Sequence, residues 1–540
     1  MKTLLVILLI FSAQNLFAER PADYSQTFIK SCNENQDCNL LLFNEIGKLY
    51  RPSKEEIAVE RYIQALKVTA ENFIWKTPLW AQRDQMGNIV IRLPATGKFK
   101  NLPNQKYFGL LSHMDMVLAY AKAKPGEDVR KYFVNGVDME VVNGWIQSKN
   151  KQTTLGADNG IGVAFALRYL LDKNIPHPPL ELLFTVQEEI GLFGAAGLEI
   201  PLLSRRMLCL DGMTPEPTMI ITGSQGGATG LITGVFKGEQ AGTDRMQLAV
   251  TVTNLAGGHS GADIFRKRLN GVKGFAELFN YLKTIMPSAR IQSVADGDLT
   301  VYNKIPNLFT GILSVSKTEL KADFKSLIEN KMKEIVSRFP DDNKDYSIDV
   351  QAAEYAAQTP IASQLETEAF IKGISDAPNG IVETGGDPYP HGDITSSNLS
   401  FWGFGKADSG DLISRLGFNT RSFFASSLSA TANAVAKAIA SPLSSLGELK
   451  VEKIASFPPW LVPSSSPLLK QLLSLKGSPF SKTYLVPVGL DPSALMQKYL
   501  DMDIVAIGPV IYFAHTVNEQ LELASVSRTA KSIETIIQSQ

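Results

Sequence analysis

Between residues 88 and 211, short apolar runs alternate with helical stretches, and the runs end in polar clusters. This order constrains the chain most, because buried parallel strands read as continuous apolar segments and need long, usually helical, crossovers between them. Residues 88–93 and 107–114 are predicted strands, 160–171 a buried helix, and 180–185 and 207–210 further strands. The fold class is therefore α/β. Sites in such sheets form just beyond the carboxyl ends of the strands, which is where the polar clusters fall.

Around residues 221–230 the chain becomes glycine-rich and then starts a second pattern, which places a domain boundary there. Residues 246–252 and 346–350 read as strands, with an amphipathic helix over 318–338 and another helix over 428–439, which together suit a separate α+β unit. The Pro/Ser-rich stretch 457–467 marks the return, and a strand over 503–507 leads into Gly508-Pro509 and His515. At 540 residues and 44% hydrophobic, the chain exceeds one core and is too apolar to be disordered. Lys and Arg total 53 against 54 Asp and Glu, so there is no positive excess to attract phosphate backbones or anionic lipid, and a nucleic-acid role is excluded on charge.

Met1-Lys2 precedes an apolar run over 4–11, and Leu16-Phe17-Ala18 precedes Glu19-Arg20, a pattern that reads as a secretory signal peptide cleaved after Ala18. The run is shorter than the roughly 20 residues of a membrane span, and no later segment could cross a bilayer. The expectation is an exported protein, periplasmic or secreted, with no stable membrane span after cleavage. An oxidising compartment would permit a disulfide between Cys32 and Cys38, the alternative being two free surface thiols. Cys209 lies in an apolar run and reads as a small buried hydrophobe, the alternative being a catalytic nucleophile.

Four separated clusters carry the residue types of a hydrolytic metal site. His113 and Asp115 stand two apart, so on an extended backbone they share a face. Asp158 follows a turn and precedes a helix, where it could instead be an N-cap. Glu188 and Glu189 follow the 180–185 strand; adjacent carboxylates repel, so a nearby cation would stabilise them, although a solvated pair is the commoner arrangement. Asp211 ends another strand, and His515 lies far downstream. Taken together, two imidazoles and four or five carboxylates suit two divalent cations, with zinc favoured by the imidazoles, and one acid must stay unligated as a general base. The chain has neither a Cys cluster nor an H-E-x-x-H helix. Gly258-His-Ser-Gly-Ala262 nearly matches the G-x-S-x-G elbow of serine hydrolases, but it ends in Ala and would leave the other clusters without roles.

In this order, His113-Met-Asp115, Thr154-Leu-Gly-Ala-Asp158-Asn-Gly, Thr185-x-x-Glu188-Glu189, Asp211, Gly257-Gly-His259-Ser-Gly and Gly508-Pro509 to His515 resemble the aminoacyl-histidine dipeptidases, peptidase D-like members of the di-zinc metallopeptidase superfamily that also holds carnosinases, glutamate carboxypeptidases and aminoacylases. The resemblance, from about Arg51 to the C-terminus, implies a split catalytic domain with a mixed sheet flanked by helices, interrupted by an α+β lid. Its divisions are a signal peptide over 1–18, a catalytic domain formed by 19–224 together with 452–540, and the lid over 225–451. It implies that Asp158 bridges two Zn2+ ions, with His113 and Asp211 completing one site and Glu189 and His515 the other. Glu188 would be the general base toward a metal-activated water, and Asp115 would orient His113. In the lid, His259 would hydrogen-bond the developing oxyanion, and Asn398 and Arg421 would contact the substrate. A homodimer through the lid belongs to the same pattern.

Where the family has His-Ala-Gly-Leu-Glu, this chain reads Pro487-Val-Gly-Leu-Asp491, a change that bears on substrate choice, including a preference for C-terminal histidine. The reading is a metal-dependent dipeptidase acting on small peptides. Its rivals are an aminoacylase or carboxypeptidase acting on N-acyl amino acids, and a catalytically silent peptide-binding protein. His177, between prolines, and His391, in a Gly/Pro-rich loop, read as structural.

Overall fold

The computed structural model describes residues 37–540 except 104, 124–126, 214–218, 297–298, 343–344, 356–358, 475–479 and 481. The signal-peptide reading and Cys32 fall outside the described residues. The chain divides into two compact units, the second comprising Gly223–Leu461 and Leu485–Gly489 and the first the remainder.

The first unit is built on a mixed sheet. Its strand order is Trp80–Arg83, Ile89–Leu93, Leu180–Thr185, Phe108–His113, Arg206–Cys209 and Asp503–Ala506, followed by residues 219–222. The strands Leu180–Thr185, Phe108–His113, Arg206–Cys209 and Asp503–Ala506 run parallel. Leu180–Thr185 and Phe108–His113 are buried at every residue, as apolar runs covered on both faces should be. The helix Ala157–Leu171, buried along nearly its whole length, packs against Phe108–His113 and the helix Cys38–Gly47. Leu523–Gln538 turns Val526, Ile533 and Ile537 inward. No described helix is long and apolar enough to cross a membrane.

The second unit is an antiparallel sheet ordered Ser347–Glu354, Arg245–Thr253, Phe309–Ser316, Arg290–Ala295, Asp393–Lys406, Leu412–Ser422, Gly226–Phe236 and Glu448–Phe457. The helices Gly271–Ile285, Phe324–Ser337, Gln364–Asp376 and Ala425–Leu443 pack on it and share one core with it. Two sequence expectations need correction here. The helix expected over 318–338 begins only at Phe324, because residues 317–323 are taken up by turns after the preceding strand. The return expected at 452 falls inside the strand Glu448–Phe457, whose ladder with Gly226–Phe236 runs on to Phe457↔Gly227 and keeps these residues in the second unit.

Candidate active site

The five proposed metal ligands, Glu188 and Asp115 all lie in the first unit, and the two expected ligand triads are each brought together there. His113 ends its strand with Nε2 3.1 Å from Asp158 Oδ1 and 3.8 Å from Asp211 Oδ2. His515 Nε2 lies 3.0 Å from Asp158 Oδ2 and 2.9 Å from Glu189 Oε2. Asp158 thus offers one carboxylate oxygen to each imidazole. Within each triad the ligand atoms all lie within 4.8 Å of one another. The other nitrogen of His113, Nδ1, faces Asp115 Oδ1 at 3.3 Å.

Asp158 does not act as a helix cap, because its two carboxylate oxygens face the imidazoles of His113 and His515 and not the first backbone N–H groups of the helix. It carries φ −80° and ψ 104° at the start of Ala157–Leu171, makes no capping hydrogen bond, and is joined to Asn159 by a cis peptide. Asn159 donates to Leu210 O at 3.0 Å and to Asp211 Oδ1 at 2.8 Å, which ties the Asp158 turn to the next strand end. Asp115 is fully buried and accepts from Ser53 Oγ at 2.6 Å and from the backbone N–H groups of Glu188 and Glu189 at 3.1 and 3.2 Å. One carboxylate therefore faces His113 and fixes the loop carrying the two glutamates. Gln187, just before them, adopts φ 54°, a left-handed conformation that costs a non-glycine residue energy. Glu56 accepts its N–H at 2.9 Å, and Asn88 Oδ1 accepts that of Val186 at 3.2 Å, so the turn is held from both sides.

The charges in this cluster are unbalanced. Burial is the main influence raising the carboxyls of Glu188, Glu189 and Asp211 above their ordinary range. Burial would raise Asp158 too, but hydrogen bonds from His113 and His515 hold it low. Burial disfavours both imidazolium forms, yet the surrounding carboxylates outweigh it and raise His113 and His515 well above the usual imidazole range. Buried charge of this kind is compensated by partners or by metal. Glu189 Oε1 is also buried with no hydrogen-bond partner. Tetrahedral coordination with bonds of about 2.0–2.1 Å separates ligand atoms by about 3.3 Å, within the spread of imidazole–carboxylate distances seen here. The donor set fits two divalent cations sharing Asp158.

The three lid candidates lie in the second unit. His259 Nδ1 accepts from the backbone N–H groups of Gly261 and Ala262 at 3.1 and 3.0 Å, so the ring proton is assigned to Nε2, the tautomer that can donate onward. Arg421 is close to the same loop: a Cβ at Gly261 would lie 3.0 Å from Arg421 Nε and 2.3 Å from Pro487 O, so glycine is required there. The Pro487 segment that departs from the family pattern thus packs beside the His259 loop. Asn398 is different. It is 1% exposed, its Nδ2 donates to Lys304 O at 2.8 Å and Ser400 Oγ at 3.2 Å, and its Oδ1 accepts from Asn270 Nδ2 at 3.0 Å. Its amide is engaged at both ends as an internal brace.

The remaining alternatives resolve similarly. Ser260 is buried in the loop after the two-residue strand Gly258–His259, with Oγ 3.4 Å from Asn419 Oδ1, which is not a strand-to-helix elbow. Burial drives the Cys209 thiol well above its usual range and makes it a poor nucleophile. His177 is fully buried with Nδ1 2.7 Å from Pro178 O, and His391 stacks on Phe265 with centroids 3.6 Å apart.

Sequence reasoning missed Arg51, Glu56, Asn159 and Glu519. Asn159 lies inside a recognised motif, and its neighbour drew the attention. Arg51 left an indirect trace in the two glycines of Thr154-Leu-Gly-Ala-Asp158-Asn-Gly, since a Cβ at Gly156 or Gly160 would approach its Nη2 to 2.6 or 2.7 Å. Glu519, four residues past His515, left no periodic or motif signal.

A profile described as peptidase family M20/M25/M40 matches residues 154–539. The cytosol non-specific dipeptidase of Escherichia coli K12 is 27% identical over 493 residues, covering 90% of this chain and 94% of that protein. Among solved structures, aminoacylhistidine dipeptidase from Vibrio alginolyticus superposes with a TM-score of 0.66 at 23% identity, covering 94% of this chain and 97% of that one. Aminopeptidase PepT from Bacillus cereus superposes with a TM-score of 0.54 at 16% identity, covering 93% and 98%. These two share the fold. With the profile spanning well over half of the sequence and the ligand triads assembled at its strand ends, this chain belongs to peptidase family M20/M25/M40.

Proposed function

We propose that this chain is an exported dipeptidase that hydrolyses short peptides at a pair of divalent cations, with Zn2+ the best match to the imidazoles. The observation that carries the reading is the carboxylate of Asp158 shared between two ligand triads, His113 with Asp211 and Glu189 with His515. When bound, the cations would supply the missing positive charge, polarise the scissile carbonyl and acidify a water. Glu188, buried beside Glu189 in the loop after Leu180–Thr185 and outside both triads, would take the proton from the attacking water on its carboxylate and pass it to the leaving amine nitrogen. Asp115 would keep His113 oriented through Nδ1. His259, with the proton on Nε2, would donate to the oxyanion, and Arg421 would pair with the substrate carboxylate.

Dipeptides are favoured over N-acyl amino acids because the Escherichia coli relative, aligned over nearly its whole length, is named a non-specific dipeptidase. The test is amide hydrolysis on a panel of free-amine dipeptides, Xaa-His members included, beside N-acylated controls, after chelation and Zn2+ return. Zinc-restored cleavage of the free-amine set is expected. Cleavage of the N-acylated set alone would point to an aminoacylase, and no cleavage at full zinc occupancy to a binding protein. Export rests on residues 1–18; periplasmic fractionation and N-terminal sequencing should show a mature chain beginning near Glu19.

A further inference from the structure

We propose that Arg51 and Glu519 are positioning residues that clamp the Asp158 turn from opposite sides and thereby set how tightly the site binds its cations. The inference rests on the metal reading above. Arg51 is fully buried, and its guanidinium donates through Nη1 to Met114 O and Asp115 O, both at 2.9 Å, and through Nη2 to Gly156 O at 2.5 Å. One rigid fork thus ties the end of the His113 strand to the turn that carries Asp158. Glu519 approaches the same turn from its donor side. Its Oε2 accepts from the N–H groups of Leu155 and Gly156, both at 2.8 Å, and its Oε1 from that of Asp158 at 3.2 Å.

Gly156 is therefore held by its N–H to the Glu519 carboxyl and by its C=O to the Arg51 guanidinium. Such charge-assisted bonds are shorter and stronger than neutral ones, and chained groups polarise one another. The close fit of the fork also bears on a spacing in the sequence. Gly156 sits at φ +73°, which itself favours glycine, and a Cβ there would meet Arg51 Nη2 at 2.6 Å and Met116 Cε at 2.8 Å, while one at Gly160 would meet Arg51 Nη2 at 2.7 Å, so the arginine adds to the demand for glycine on both sides of Asp158. Neither Arg51 nor Glu519 belongs to a ligand triad. Each acts on Asp158, the residue both triads share, through the backbone.

A purely structural role would lower stability and leave the site intrinsically unchanged, and the experiment separates the two. Apo protein is titrated with Zn2+ against a chromophoric chelator for the wild type, Glu519→Gln and Glu519→Asp, alongside apo melting temperatures and, at saturating Zn2+, kcat and KM on a cleaved dipeptide. Glu519→Gln keeps the shape but loses the charge and part of the acceptor capacity. It should weaken Zn2+ binding about 10–100-fold and lower kcat with little change in KM, while Glu519→Asp recovers part of the affinity. The apo melting temperature should fall by no more than roughly 4 °C. Arg51→Lys, which loses the fork, should weaken Zn2+ binding in the same direction if it folds; the Glu519 variants decide the matter if it does not. Unchanged Zn2+ affinity in Glu519→Gln beside tight binding by the wild type overturns the inference alone, as does an affinity loss accompanied by a collapse of apo stability. A wild type that binds no divalent ion overturns the metal reading and this inference with it.

Discussion

Two buried polar clusters, one in each unit, are built in opposite ways. At the strand ends of the first unit, Asp115, Asp158, Asp211, Glu188 and Glu189 crowd around two imidazoles and one guanidinium, and burial leaves several carboxyls raised. In the second unit the buried group around Asn398 is neutral and closed. Asn270 Nδ2 bonds Asn398 Oδ1 and Leu399 O at 3.0 and 2.8 Å, Asn270 Oδ1 caps the helix Gly271–Ile285, and Asn379 Oδ1 accepts from Leu399 N at 2.9 Å. A neutral network satisfied by its own chain needs nothing from outside, whereas a cluster of like charges does. Between these two clusters, it is the unmet charge at the first and not buried polarity as such that suits cations.

The contrast can be broken most sharply at Glu188. Glu188→Gln should lower kcat by about 10²–10⁴-fold while bound metal, read by elemental analysis, stays the same. A variant with normal turnover would remove Glu188 as the base. Next in size is removal of the cations. Chelation should lower the melting temperature, and Zn2+ at about 1,000 times its Kd should restore about 4 kcal/mol of stability, in the wild type and in Asn398 variants alike. If an Asn398 variant lost the zinc response, the two networks would not be independent.

His177 tests burial in the first unit without clustered carboxylates. Burial depresses its imidazole from 6.5 to about 4, so the unfolded chain takes up the proton first on acidification. Its contribution is fully present above about pH 6.5 and is lost as pH falls toward 4, by at most about 3 kcal/mol. Urea unfolding of apo protein across that window should show a steeper acid loss in the wild type than in His177→Gln; equal slopes would refute the assignment. The smallest effect is expected at Asn398. Asn398→Ala should cost about 1–3 kcal/mol by leaving the Asn270 amide and Lys304 carbonyl short of partners, with kcat/KM nearly unchanged. A collapse of kcat/KM at unchanged stability would instead make Asn398 a substrate contact.

Much of the first unit was legible because buried strands are written as apolar runs. The segments expected at 88–93, 107–114, 180–185 and 207–210 appear as Ile89–Leu93, Phe108–His113, Leu180–Thr185 and Arg206–Cys209. The helix expected at 160–171 starts earlier, at Ala157, and includes two residues of irregular backbone, Asp158 and Asn159, before its regular turns. Less was legible in the second unit, where the strand Asp393–Lys406 buries a run of Thr, Ser and Asn side chains and nothing in the composition separates an amide that braces the interior from one that meets a ligand. Asn398 and Arg421 looked alike in sequence; the hydrogen bonds of Asn398 distinguish it.

By itself, the sequence determined which segments are strands, where each chemically suitable side chain stands relative to a strand end, and that the charges nearly cancel over the whole chain. Those properties are local or additive, so they can be read residue by residue. Tertiary structure alone decided that Asp158 faces His515 across 357 residues, that Asp503–Ala506 lies beside Arg206–Cys209, and that Arg51 and Glu519 grip one turn. Electrostatic coupling and hydrogen bonding depend on separations of a few ångströms through space, and distance along the chain carries no record of them.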